Sequence, residues 1–182
     1  MSVRLENLPQ IICLEDYGDY KAYIDAIYRV FSVDFIRRKA HFGSNEIRLK
    51  FNPLFQERAY TFYHMTHEGE DENERIPDLR RCERMPWARP TITKTEEYGL
   101  RFWEQERNGK HRICIWLDVD DGENYFVILD VRKTHVLLWT AFYATYTNTA
   151  AKKAKEYQEW LERVGHPLTP DELVVDIMAR LP

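Results

Sequence analysis

A histidine, a group of arginines and a threonine in apolar company are the residues of this chain best equipped to do chemistry. His64 closes the aromatic and β-branched stretch Ala59-Tyr60-Thr61-Phe62-Tyr63, and imidazole is the side chain that titrates nearest neutral pH. Between residues 75 and 94, Arg75, Arg80, Arg81, Arg84, Arg89 and Lys94 stand against only Asp78 and Glu83. A guanidinium matches phosphate oxygens two at a time. Arg80 and Arg84 are four apart, so on a helix they share a face and can clamp one phosphate. Thr140 lies between Trp139 and Ala141, on the parity of Leu138 and Phe142, where a hydroxyl needs a hydrogen-bond partner. Cleavage of RNA by its own 2′-hydroxyl asks for this set: a base for that proton, an acid for the leaving oxygen, and cations for the charge that grows on phosphate.

Each residue also has a purely structural use. His64 can bond a backbone carbonyl, the arginines can pair with the acids Glu68, Glu70, Asp71, Glu72 and Glu74 just before them, and Trp87 can pack in the core as readily as stack on a base. A metal reading would join His64, His67 and the same acids, but no closed ligand set is visible and neither metal nor cofactor is expected. Glycine-rich phosphate loops, G-x-S-x-G and an i, i+4 histidine pair are all missing.

The elements that must position these residues follow from periodicity and turn chemistry. Tyr20, Tyr23, Ile24, Ile27, Tyr28 and Phe31 recur at three- and four-residue steps and predict an amphipathic helix over 16–35. Gly43-Ser44-Asn45 and Asn52-Pro53 read as turns in a loop or hairpin region over 36–57, and 59–66 reads as a strand. Pro77 then opens a two-turn helix that Pro86 should end. Four apolar runs follow at 100–106, 112–118, 125–132 and 135–143, separated by Asn108-Gly109, Asp120-Asp121-Gly122 and Lys133-Thr134. Turns this short join antiparallel neighbours, so the expected centre is a four-stranded antiparallel meander, covered on both faces because its inner runs are apolar at both parities. A second amphipathic helix is predicted over 150–164 and a last short one, capped by Thr169, to about Arg180.

The expected class is therefore α+β, one domain over 1–182. Residues 1–58 form an N-terminal helix and hairpin region, 59–164 the core and 165–182 a helical tail. Apolar residues make up 44% of the chain, too many for disorder, and none of its apolar runs could span a bilayer. MSVRLENLPQ lacks the pattern of an export signal, and Cys13, Cys82 and Cys114 are scattered and odd in number. A cytoplasmic protein with reduced thiols is expected. The net charge of −4 means that any nucleic-acid contact has to rest on local charge.

Three segments together resemble a known group: Phe62-Tyr63-His64-Met65-Thr66, the string Pro77-Asp78-Leu79-Arg80-Arg81-Cys82-Glu83-Arg84-Met85-Pro86-Trp87-Ala88-Arg89-Pro90, and Arg132-Lys133 with Leu138-Trp139-Thr140-Ala141-Phe142-Tyr143 and the lysine-rich helix behind it. They are similar to the phage- and mobile-element-associated nuclease-like domains of the barnase, EndoU and RelE-like superfamily, over roughly residues 60–161. The resemblance implies metal-independent RNA cleavage, with His64 as acid or base, Arg84 and Arg132 as phosphate-binding cations and Thr140 as the hydroxyl. Arg80, Arg81, Trp87, Arg89 and Lys133 would then bind substrate. Such a protein would be a ribonuclease of the toxin or phage-effector kind, with RNA as partner, no membrane, and a neutralising protein as a further partner. The alternative is a catalytically silent domain of the same fold that binds RNA or protein. Thr91-Ile92-Thr93-Lys94 departs from the Ile-Ile-Glu-Asn that follows the proline in that group.

Overall fold

A computed structural model describes residues 1–182. Helix α1, Tyr20–Phe31, starts where the Asp19 side chain accepts from the Ala22 N–H at 2.7 Å, and continues as π-helical turns over Ser32–Arg37. It buries Tyr23, Ile24, Ile27 and Phe31, as the three- and four-residue spacing requires, while Tyr20 stays exposed at the N-terminal end.

The sheet is larger than the turn chemistry predicts. Strands β5 (Arg101–Arg107), β6 (Lys110–Asp118), β7 (Asn124–Val131) and β8 (Val136–Tyr143) do run as consecutive antiparallel neighbours, and Asn108 and Gly109 take the positive φ values of 51° and 71° that the first hairpin needs. They make up only part of a mixed six-stranded sheet ordered β1-β2-β8-β7-β6-β5. The hairpin of β1 (His41–Phe42) and β2 (Asn45–Arg48) adds to its far edge, with β2 parallel to β8 through Ile47 opposite Val136 and Arg48 opposite Leu137. The sheet is therefore neither four-stranded nor all-antiparallel, contrary to what the turns alone imply. Strands of two and four residues carry little periodicity, and a parallel pairing to a strand some ninety positions downstream has no turn to announce it.

The 59–66 segment is a second correction. It forms helix α2, Tyr60–Thr66, with every one of its residues buried. A buried strand there would need ladder partners, whereas a helix satisfies its own backbone and lets consecutive side chains leave in different directions. Phe62 turns to Tyr28 and Phe31 of α1, Tyr63 to Phe55 and His67, and His64 to Trp139 of β8, with the Tyr60 ring beside it. Beyond the short pairing with β2, α2 packs along β8.

After the small hairpin of β3 (His67–Glu68) and β4 (Ile76–Pro77), helix α3 (Leu79–Glu83) is capped by Asp78. The short helix ends before Pro86, as expected, but helical structure resumes at once. Pro86 sits in the first turn of a further helix, α4 (Met85–Thr93), because a proline is at no disadvantage where the N–H would go unpaired anyway. Helix α4 covers one face of the sheet, where Trp87 meets Tyr125 edge-on. Helix α5 (Thr147–Val164) covers the other, where Tyr157 meets Trp103. Helix α6 (Pro170–Arg180) begins with the capping box between Thr169 and Glu172. One continuous core runs from Val3 to Ile177. No helix is long and apolar enough to cross a membrane.

A register shift in β8 matters for the site. Thr140 pairs with Ile128, but Leu138 pairs with Leu129, so Trp139 is an extra residue in the strand. Thr140 and Leu138 therefore lie on opposite faces of the sheet, not on one parity as the uninterrupted sequence suggests.

Candidate functional site

The residues singled out in the sequence lie on both faces of the sheet and meet at the β8 edge, where Arg81 and Thr140 both donate to the His64 carbonyl. Tyr143 and Thr140 pair with Tyr125 and Ile128, which have opposite parity in β7. Arg84 lies over the Tyr143 ring at 4.2 Å and Trp87 lies against Tyr125, so both sit on the α4 side while Thr140 faces the α5 side.

On the α4 side the charges are paired. The Arg84 side chain is 2% exposed and donates to Glu123 from Nη2 at 2.6 Å and Nε at 3.2 Å, and from Nη1 to Glu83 at 2.9 Å and to the Arg80 carbonyl at 3.2 Å. Burial alone would lower its pKa, but the bonds to Glu123 and Glu83 outweigh it and the pKa is raised. Arg80 keeps an exposed guanidinium beside Tyr143, at 5.8 Å. Arg81 donates to Asp78 and to the carbonyls of His64 and His67. The Arg89 guanidinium ties down the carbonyls of Asp34, Arg38 and Lys39 where α1 and its π turns end. Trp87 is fully buried and donates to the Pro9 carbonyl. Lys133 donates to the Leu181 carbonyl at the end of α6.

The α5 side is less well paired. Thr140 Oγ1 donates to the backbone carbonyl of His64 at 2.8 Å, so these two residues meet through backbone and not through the imidazole. Beside Thr140 is a cavity of about 170 Å³ walled by Trp139, Gln105, Arg107, Arg112 and Lys153. The Arg112 guanidinium lies over the Trp139 ring at 4.4 Å. Its Nε is buried without a hydrogen-bond partner, and the one carboxylate within reach, Asp130, is 3.8 Å away. Asp130, 2% exposed, is instead held at 2.7 Å by Arg132. Burial first, then the charges of Arg107 and Arg132, keep Arg112 below the usual arginine range, with Asp130 acting in the opposite sense. The cavity is thus a place of excess positive charge with an aromatic wall.

His64 lies on the other side of this wall, its ring 5.1 Å from that of Trp139. Its side chain is 4% exposed and Nε2 has no hydrogen-bond partner, the Glu72 carboxylate being 3.7 Å away. Burial, then the positive charge of Arg75, hold its pKa at about 4 although Glu72 opposes them, so the ring is neutral at physiological pH. His67 is also pushed down to about 4, chiefly by burial, and its Nδ1 meets Thr66 Oγ1 at 2.9 Å. Nowhere do three His, Cys, Asp or Glu side chains cluster closely enough to share a metal ion, and the three cysteines are free thiols.

His64, Thr140 and Arg132 are therefore brought to one region, and Arg84, Trp87 and Arg89 to another. The sequence reading misses Arg112, Trp139, Arg107 and Lys153. The one available signal is Asp130, a carboxylate set between Leu129 and Val131 in an apolar strand run, whose direct cross-strand partner is Arg112 at the start of the run before it. The chain finds no match among protein-family models, curated proteins or solved structures.

Proposed function

We propose that this protein binds RNA, holding a single strand in the Trp139 cavity between β8 and α5. The observation that carries the reading is the state of Arg112, a half-buried guanidinium stacked on an indole with a buried, unpartnered Nε. A phosphate supplies the acceptor that Asp130, at 3.8 Å, does not. Arg107 adds positive charge at the cavity wall, where Lys153 is paired with Glu156 at 3.1 Å, and Trp139 offers a ring on which a base can stack. Two neighbouring groups suit RNA in particular. Thr140 spends its proton on the His64 carbonyl and Gln105 spends an amide N–H on Glu156, so each turns acceptor oxygen to its surroundings. A 2′-hydroxyl can donate to such an oxygen; a deoxyribose cannot.

Fluorescence anisotropy of a short labelled single-stranded RNA tests this. Two cations free to meet phosphate, Arg107 and Arg112, predict a log–log salt slope of about −1.4 on a single strand. Arg112→Met and Trp139→Ala should each weaken binding about tenfold. No binding at low salt, or binding indifferent to both substitutions, overturns the proposal, and equal affinity for the DNA strand of the same sequence removes the role given to the acceptors.

The free nitrogen of His64 favours a second reading, cleavage of the bound strand without metal. A neutral imidazole that carries its proton on Nδ1 takes a proton from a 2′-hydroxyl at Nε2, the opposite tautomer from one that donates there. Product ending in a 2′,3′-cyclic phosphate, formed in chelator and lost in His64→Gln, would carry that reading; RNA retained intact would leave binding alone.

A further inference from the structure

The acidic loop at residues 68–74 does more than cover the protein with solvated charge. Its Glu72 carboxylate is brought down over His64, where it stands 3.7 Å from the buried, unpartnered Nε2. Three other groups that favour negative charge surround the same spot. The Arg75 side chain has a buried Nε without a partner. The Lys50 ammonium lies 4.3 Å from the centre of the Tyr60 ring, and the Tyr60 ring is 4.6 Å from that of His64. Burial and then the adjacent Glu72 push the Tyr60 phenol up to about 12, so it stays a donor.

We infer that His64, Tyr60, Lys50 and Arg75 form an oxyanion seat for a phosphate group, and that the chain's own Glu72 fills it in this structure as a displaceable plug. The seat has donors to spare. His64 Nε2, a donor in the tautomer that carries its proton there, and Arg75 Nε are both buried without partners, and the Glu72 carboxylate stops 3.7 Å from the imidazole, beyond hydrogen-bond distance. A phosphate, with its tetrahedral array of oxygens, can meet several donors at once. The plug is also built to leave. The Glu72 side chain is 59% exposed and has the Tyr60 phenol as its hydrogen-bonding neighbour, while the Tyr63 hydroxyl donates to the Glu72 carbonyl at 2.7 Å. Glu68, Glu70, Asp71 and Glu74 lie exposed around it. An arriving polyanion must overcome their charge before it gains the donors beneath. The indole of Trp139 separates this seat from the Arg112 cavity, its ring 5.1 Å from that of His64 and 4.4 Å from the Arg112 guanidinium. The inference rests on the RNA reading in one respect, that the group to be seated is a phosphate of the same strand.

Titration of the full chain with inorganic phosphate, followed by the ring-nitrogen NMR signals of His64, tests the seat without RNA. Glu72→Gln should bind phosphate about tenfold tighter than the wild type, with the His64 signals moving, because the competing anion is gone. Tyr63→Phe, which keeps the ring and frees the loop, should give a smaller gain of about threefold. Adding Arg75→Ala to Glu72→Gln should return the affinity to that of the wild type. Unchanged affinity in Glu72→Gln, tight binding that survives the loss of Arg75, or acetate binding as well as phosphate would each overturn the inference. If the seat behaves as expected while Arg112→Met and Trp139→Ala leave RNA binding intact, the RNA reading fails and the seat stands.

Discussion

The corner between α3 and α4 and the edge of β8 are built from the same materials, an arginine laid on an aromatic ring beneath a helix, and they have opposite electrostatic states. Arg84 lies over Tyr143 with its donors taken by Glu123, Glu83 and a carbonyl. Arg112 lies over Trp139 with an unpartnered Nε and a carboxylate too far to bond it. A buried charge whose partners are complete contributes to holding the fold, and one whose partners are incomplete is open to a ligand. His64 shows the third outcome. Buried beside Arg75 with only a distant carboxylate to offset it, it gives up its charge.

The sharpest way to break this contrast is to remove the paired arginine. Arg84→Ala should cost about 3–5 kcal/mol in chemical denaturation, since it leaves the Glu123 and Glu83 carboxylates facing a vacated buried site. RNA affinity of the molecules that remain folded should not change. A loss below about 1 kcal/mol would mean that the pairing is no more than a surface ion pair.

Acid probes the neutral histidine. The folded state holds His64 at about 4, below its ordinary 6.5, so as pH falls the unfolded chain takes up the proton first. Stability should therefore be level above about pH 6.5, decline between about 6.5 and 4, and level off again for this group below that, with about 3 kcal/mol at stake. The groups facing the ring are Arg75, Lys50 and Arg112, which favour the neutral form, and Glu72, which opposes it. Denaturation midpoints of His64→Gln across this range should fall less steeply than those of the wild type, and an identical slope would show that the ring is not held neutral.

The under-paired arginine should respond the other way round from Arg84. Arg112→Met is expected to leave stability within about 1 kcal/mol, because it removes a desolvated charge whose pairing is poor, while RNA affinity drops about tenfold. The smallest effect belongs to Thr140→Val, which deletes the bond to the His64 carbonyl and should cost about 1 kcal/mol by thermal or chemical unfolding. It should leave the salt dependence of RNA binding unchanged, since the hydroxyl carries no charge.

What was legible in the sequence was local. Asn108-Gly109 turns because both residues accept positive φ, the Thr169 capping box closes on Glu172 three residues away, and the spacing of Tyr23, Ile24, Ile27 and Phe31 defines the buried face of α1. Where the fold departs from local preference, a distant partner overrides it. The aromatic stretch 60–66 became a helix because it had to bury all of its residues beside β8, and β2 joined the sheet through a parallel pairing that no turn encodes. The extra residue at Trp139 reversed the face on which Thr140 lies relative to Leu138, a change that alternation along β8 alone does not reveal.

The sequence by itself determined the periodic elements, the hairpins of the second half and the supply of cations and aromatic rings, because each of these depends on residues a few positions apart. Which cation is neutralised and which is left wanting was decided by the tertiary structure alone. The partners of Arg84, Arg112 and His64 are Glu123, Asp130 and Glu72, and their distances and burial come from the packing of α2, α3 and α5 on the strands. Electrostatic energy depends on separation in space and on the water excluded between two charges, and neither quantity is written in the order of residues along the chain.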